Sequence, residues 1–599
     1  MDYDIPTPQK LQLGTWRKMA PFFKLVRRQF TLAVILILFA ALLDVISPLF
    51  IRFAIDWFVV PQTTDGLWLF LGIQAVVVLL QGVVTIFFQR KTMEVDMELA
   101  RHMRSACFTH LQKLSLAYYN KTPVGYILAR IMSDIARISG LTSWGVVFGV
   151  WNMLYLLGVA VIMLILDWRL ALILIVVIPI VIAVTALFKN RLLKVNREIR
   201  SVNAKVTGLY NEGIAGAKAT KTLVIEDKLA AEFSGVTQQF YRAGMRMNRL
   251  NVIFIPLMVF LCTMAAAVGL YYGGILVMEQ VVALGTLSVF LTYSVEILEP
   301  VRELARLFSD FAASQVNVER VADLLANEPM ISDTPEVEAQ YGDIFTPRPE
   351  NWERVQGNIE FRGIDFRYPD GEEYVLKQFN LNIPAGTTIA IVGRTGAGKS
   401  TLVNLACRFL EPTRGTILID GTDYRRRSML WLQSHLGYVL QNPHLFSGTV
   451  MENIRYGRLD ATDEEVIAAA KLAAVDQVVE KLENGYHTEV GEGGGRLSTG
   501  EKQLISFARA ILADPPIFVL DEATSSIDTE TELLIQDAIS HILKGRTSFI
   551  IAHRLSTIRH ADLILVVEQG KIIEQGSHKD LIQAKGHYHG LYTAMLRQG

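Results

Sequence analysis

The chain has 599 residues, 51% of them hydrophobic and only 20% charged, with a mean hydropathy of +0.31. That is too apolar for an ordinary soluble enzyme, and charge is too scarce for a disordered chain. Lys and Arg number 58 against 59 Asp and Glu, which excludes the dominant basic field of a nucleic-acid binder, so no nucleic-acid partner is expected. Cys107, Cys262 and Cys407 lie far apart and form neither a disulfide framework nor a metal cluster.

Near the N-terminus, Trp16, Met19, Phe22, Phe23 and Val26 recur at helical spacing with cations between them. This predicts one short helix lying in a membrane interface. Six apolar runs follow: 29–59, 66–89, 142–166, 170–188, 250–278 and 280–295. The first is interrupted by Asp44, Arg52 and Asp56, and the other five carry no charge. A helix needs about 20 apolar residues to cross the hydrocarbon core. The runs therefore predict a six-span helical membrane domain over residues 1–326.

Lys and Arg gather before the first run, between the second and third (Arg90 to Arg137) and between the fourth and fifth (Lys189 to Arg249). The other three connections carry Arg169 alone. The positive-inside rule then places both termini in the cytoplasm of a multi-pass protein. No small-residue cleavage site follows the first run, so a removable signal peptide is not expected. The two cation-rich connections have few helix breakers. They read as membrane helices continued into the cytoplasm, turning near Thr122–Gly125 and Gly213–Gly216. Asp44 in the first span and Glu296 in the sixth either favour cationic amphiphiles in a central cavity or join helices by hydrogen bonds, and Gln74 and Gln81 lie seven apart on one face of the second span; Arg52 and Asp56, at i,i+4, are expected to pair.

Residues 327–357 are rich in Pro, Asp and Glu with little periodicity and read as a linker. From 358 to 599 strand and helix patterns alternate, as in a soluble α/β domain. The β-branched run Thr387–Val392 leads into Gly393, Arg394, Thr395, Gly396, Ala397, Gly398, Lys399, Ser400 and Thr401, the pattern of a phosphate-binding loop. Glycines let backbone N–H groups close around phosphate oxygens, and the next helix points its positive end at the anion. Lys399 is expected to bridge the β- and γ-phosphates of ATP, and Ser400 to bind Mg²⁺. The apolar run Ile517–Leu520 ends in Asp521 and Glu522. Asp521 is expected at the metal and Glu522 as the base that polarises the attacking water. Ser498 and Gly500 open an apolar-periodic helix whose free N–H groups attract phosphate.

The order of these motifs resembles the nucleotide-binding domain of ABC transporters, fused to a membrane domain as in exporter half-transporters. Leu497-Ser498-Thr499-Gly500-Glu501-Lys502-Gln503 resembles the family signature. The resemblance implies several roles. Tyr368 stacks on adenine. Gln441, in the glutamine loop, senses the γ-phosphate and joins the Mg²⁺ ligands. Asp528 lies in the D-loop, and His553 is the switch histidine. Thr488–Glu492 is similar to the loop before the signature in exporters, and Gly125, Arg130 and Asp134 match a pattern after the first cytoplasmic tip. Ser498 and Gly500 would reach the γ-phosphate held by a second half-transporter.

The signature departs from the usual Leu-Ser-Gly-Gly-Gln at Thr499 and Glu501. Such departures resemble half-transporters that pair with a different chain, so a heterodimer is expected ahead of a homodimer. The implied function is ATP-driven efflux of amphipathic compounds, drugs or lipids, across a plasma or inner membrane. The ATPase domain would lie in the cytoplasm. An ATP-gated channel or regulatory subunit, and an exporter-fold importer of siderophores, remain as alternatives.

Overall fold

The computed structural model describes residues 13–369, 371–521, 529–551 and 555–598, with some side chains inside helices left out. It divides into two compact units, 1–112 with 122–327, and 113–121 with 328–599.

The first unit is helical. Its long elements are Arg27–Ala54, Leu67–Lys113, Trp168–Ala215 and Glu226–Met278. A 47-residue helix such as Leu67–Lys113 is roughly 70 Å long against a hydrocarbon core of about 30 Å, so the sequence expectation of long extensions holds. Five of the six apolar runs lie on helices long and apolar enough to cross a membrane, among the described residues. The remaining run, 170–188, lies within Trp168–Ala215. Asp167 starts that helix by accepting from Arg169 N (2.8 Å) and Leu170 N (3.2 Å). Leu69, Val76, Leu79, Val83 and Ile86 are exposed on the Leu67–Lys113 helix, an apolar outer face suited to lipid. Inside, Gly158 lets its helix approach Val45, whose methyls would stand 3.0 Å from an added Cβ.

One proline breaks the backbone near the N-terminus, whereas Pro48, Pro179 and Pro256 lie inside continuous helices. The single interface helix expected over 15–28 is instead two pieces, Leu13–Arg17 and Ala20–Leu25. Pro21 cannot donate to the carbonyl of Arg17, so the first piece ends there and the second restarts with Pro21 in its first turn. Met19 and Val26 are buried within the protein, and Trp16 packs on Phe311 at 5.5 Å between ring centres. Arg130 and Asp134 are buried at the two ends of a wide helical turn, Arg130–Asp134. Arg130 Nη1 donates to Tyr126 O at 2.6 Å. Arg52 and Asp56 pair at 3.5 Å as expected, and Asp56 also accepts from Gly285 N at 2.7 Å.

The second unit holds ten strands among the described residues: β1 (Ile359–Phe366), β2 (Leu376–Ile383), β3 (Thr388–Val392), β4 (Arg414–Ile419), β5 (Thr422–Asp423), β6 (Leu436–Val439), β7 (Ile517–Asp521), β8 (Thr547–Ile551), β9 (Leu563–Glu568) and β10 (Lys571–Gly576). An antiparallel sheet runs β2-β1-β4-β5, and a larger one runs β10-β9-β3-β8-β7-β6. In the larger sheet every neighbouring pair is parallel except β9 and β10. Alternate residues of its central strands feed opposite cores. Val392, Phe518, Leu520 and Ile550 pack with a helical cluster that includes Leu504 and Phe507. Ile391, Val519, Phe549 and Ile551 pack towards β1 and β2. Strands covered on both faces read as unbroken apolar runs, which is how β3 and β7 look in sequence.

The segment read as a linker is organised on this unit by charge. Arg408, 2% exposed, pairs with Asp333 and Glu411, each at 2.8 Å. Asp333 also accepts from Met429 N at 2.9 Å. Arg427 pairs with Glu353 and lies over Trp431, whose Nε1 donates to Glu353 O at 2.8 Å. Residues 113–121 belong here too. Lys113 pairs with Asp343 at 3.7 Å, and Leu116 and Asn120 line a cavity of about 690 Å³ with Phe409 and Leu410.

Removing Asp333 leaves buried Arg408 with one carboxylate instead of two and takes the acceptor from Met429 N. Asp333→Ala should cost about 3 kcal/mol, lowering the melting midpoint of this unit by roughly 6–12 °C in a thermal scan of the purified chain. Glu360→Ala, which breaks an exposed pair with Arg362, should leave the midpoint unchanged.

Candidate nucleotide site

Because β3, β6, β7 and β8 are parallel, their C-terminal ends share one edge, where α/β sheets bind ligands. Val392 leads directly into the glycine-rich loop. Gly393, Gly396 and Gly398 all have positive φ (+156°, +84° and +102°). A Cβ on Gly393 would stand 2.2 Å from Val567 O, so no other residue fits there without a backbone shift. The helix Lys399–Ala406 follows, with no side chain capping its N-terminus. Its first N–H groups are left for an anion, and the cradle fits the phosphates of a nucleotide.

Lys399 is buried and bends back over the loop, donating to Gly393 O (2.8 Å) and Arg394 O (3.1 Å). Burial lowers its pKa from the ordinary lysine value, and the nearby Asp521 carboxylate partly opposes this. Ser400 is exposed in the first turn and Thr401 is buried behind it. Arg394, Thr395 and Gly396 are exposed, while Ala397 is buried and its carbonyl accepts from Gly570 N at 3.1 Å.

Tyr368 is brought to this loop by its hydroxyl, 3.0 Å from Thr401 Oγ1. Its ring stands edge-on to Phe366 and is 41% exposed, so a face remains open to a base. Gln441 is exposed two residues beyond the end of β6, and β6 pairs with β7 so that Val439 faces Leu520, next to Asp521. Asp521 closes β7. Glu522, Asp528 and His553 lie outside the described residues.

The signature helix is Thr499–Ala513. Ser498 is its N-cap, accepting from Glu501 N at 3.3 Å, while Glu501 accepts from Ser498 N at 2.8 Å. The residue that departs from the family pattern thus completes a capping box. Gly500 is buried and Ser498 exposed. Among the described residues, no hydrogen bond joins either to the phosphate loop of the same chain.

Two residues not singled out in sequence hold the stretch after Gln441. Asn453, fully buried, accepts from Phe446 N and donates to Phe446 O, both at 2.9 Å. Arg509 donates to Asn453 O (2.9 Å) and His444 O (3.3 Å). The available signal was a lone cation inside the otherwise apolar run Phe507-Ala508-Arg509-Ala510-Ile511.

Known proteins resemble this chain over both units. Residues 30–301 match the family model for the ABC transporter transmembrane region, and residues 376–525 match the ABC transporter model. The ABC transporter ATP-binding protein YfiC of Bacillus subtilis is 36% identical over 98% of this chain and 95% of its own. An ATP-dependent lipid A-core flippase of Desulfotalea psychrophila is 36% identical over 83% of this chain and 85% of its own. The solved structure of a bacterial Atm1-family ABC exporter with ATP bound is 26% identical, with a TM-score of 0.75, covering 95% of this chain and 98% of that one.

The Gly393 contact gives a direct check on the cradle. Gly393→Ala should lower affinity for ATP at least tenfold, by forcing the loop away from Val567. Gly590→Ala, at a helical glycine with open space around it, should leave nucleotide binding unchanged. Equilibrium binding of a fluorescent ATP analogue separates the two.

Proposed function

The chain belongs to the ABC transporter family, as an ATP-hydrolysing half-transporter of the exporter type, and from that premise we propose that it drives efflux of amphipathic compounds, drugs or lipids, across the cell membrane. It does so by alternating access within a dimer, with both termini and the ATPase unit in the cytoplasm. The observation that carries this reading is the phosphate cradle at Gly393–Ser400 on the same chain as five helices able to cross a membrane. The likeness to a lipid A-core flippase supports an amphipathic substrate.

The residues divide the work. Backbone N–H groups of Gly393–Ser400 hold phosphate oxygens, and Lys399 leaves its loop carbonyls to meet the β- and γ-phosphates. Tyr368 stacks on the base. Ser400, Gln441 and Asp521 would hold Mg²⁺, which would neutralise phosphate charge. Glu522 would take the proton of the attacking water, His553 would contact the γ-phosphate, and Asp528, in the D-loop, would serve with the nucleotide-binding residues. Ser498 and Gly500 face the nucleotide of the partner chain.

The partner is proposed to be a different half-transporter. Glu501 puts a carboxylate at the helix end that should meet phosphate, and its negative charge competes for the same positive pole. The chain then contributes a competent phosphate loop and base, and its partner contributes the stronger signature. A homodimer is the alternative, supported by the retention of Ser498 and Gly500.

Two measurements test these readings. The purified chain alone should turn over ATP slowly, and a similar half-transporter added to it should raise the rate at least tenfold. Vigorous turnover by a stable homodimer would overturn the heterodimer. In inside-out vesicles, Glu522→Gln should abolish ATP-driven substrate accumulation. Undiminished ATP-driven accumulation in that variant would overturn active transport by this site.

A further inference from the structure

A cavity of about 620 Å³ opens within the membrane unit, and Asp44, Gln81, Trp151, Tyr155 and Glu296 are on its wall. The two acids come from different helices, Arg27–Ala54 and Leu284–Glu296. Asp44 accepts from Trp151 Nε1 at 2.8 Å and from Gln81 Nε2. Glu296 accepts from the Tyr155 hydroxyl at 2.5 Å. All three donors are neutral. A third acid on the wall, Glu299, is already paired with Arg302 at 3.1 Å, and Asp56, which does not line the cavity, pairs with Arg52. Among the described residues no cationic side chain pairs with Asp44 or Glu296.

Hydrogen bonding between helices explains Gln81 and Trp151, but a second feature goes beyond it. Pro48 lies four residues after Asp44, and Pro300 lies four after Glu296. A proline nitrogen carries no hydrogen, so the backbone carbonyls of Asp44 and Glu296 both lose their regular helical donor. The helix is interrupted after Glu296 by the single residue Ile297 and resumes at Leu298. Both prolines line the same cavity as the acids. Each acidic residue therefore brings a carboxylate and a carbonyl deprived of its regular donor to one place. Beside them the rings of Trp151 and Tyr155 stack at 5.2 Å and 14°.

We infer that this cavity is a recognition site for a lipophilic organic cation that carries N–H donors, a protonated amine joined to a flat apolar body. Its N–H groups meet the surplus of acceptor oxygens, and its charge faces carboxylates that have only neutral partners. Its apolar body lies along the aromatic pair, where ring faces also attract cations. A carboxylate in a membrane domain is costly without a counter-charge, and such a ligand supplies one. An anion is refused by the same groups. The inference names a substrate class and rests on the efflux reading only for the direction of transport.

The test reads binding without nucleotide, so failure of the ATPase reading leaves it intact. The probes are N-octyl-1-naphthylmethylamine, protonated at neutral pH, and octyl 1-naphthylmethyl ether, which replaces the NH₂⁺ by oxygen. Both are titrated against the full chain in lipid nanodiscs, following tryptophan quenching. The amine should bind on the order of tenfold tighter than the ether, as charge-assisted hydrogen bonds require. In the double variant Asp44→Asn, Glu296→Gln the amine should fall to the affinity of the ether, while ether binding persists and reports an intact fold. If the double variant loses both, the single variants Asp44→Asn and Glu296→Gln are titrated, and each should narrow the preference. Equal binding of amine and ether by the native chain overturns the inference. A preference that survives in the variants also overturns it.

Discussion

Inside hydrocarbon every backbone amide and carbonyl must find its partner within the protein, and most of the first unit follows from that constraint. It makes the apolar runs helices and lets those helices run on without interruption through Leu67–Lys113 and Glu226–Met278. It also gives Pro48 and Pro300 a consequence. Pro48 sits inside its helix and Pro300 follows a break, and each takes the regular donor from an acidic residue's carbonyl. Polar character is thereby concentrated at one cavity, while the outer face at Leu69, Val76 and Ile86 stays apolar.

The second unit obeys the complementary rule, that a helix start has N–H groups to give away. Three of its helices spend them on themselves: Thr449, Thr462 and Ser498 each close a capping box with a glutamate three residues on. The helix Lys399–Ala406 has no such side chain and keeps its donors for phosphate. The signature helix stands between the two cases. In the proposed reading it meets a phosphate, yet it already carries a carboxylate of its own. The same accounting of N–H groups describes both the stability of this unit and the asymmetry proposed for its ATP sites.

Much of this was legible in sequence because it is local. Apolar runs, the glycine-rich loop with its preceding strand, and the Ser498-x-x-Glu501 spacing are all patterns within a few residues. The N-terminal segment misled because its helical periodicity is real, while Pro21 breaks the backbone that should carry it. Residues 327–357 show no period because what orders them is distant. Asp333 meets Arg408, and Glu353 meets Arg427 and Trp431, each more than seventy positions away. The Tyr368–Thr401 contact and the Asn453–Arg509 clamp are hidden for the same reason.

The grouping of residues 113–121 with the second unit means that gene order and domain order differ. Residues 113–121 pack with the second unit although they lie inside the stretch matched to the transmembrane region. A fragment beginning at residue 328 would lack the segment that supplies Lys113 to Asp343 and lines the cavity beside Phe409 and Leu410. It would bare apolar surface that the intact chain covers, which favours aggregation. A single cleavage at 327 would likewise leave one unit with its inserted segment still tethered to the other. A swap of ATPase halves in this architecture would leave the nine residues 113–121 against a surface they did not come with.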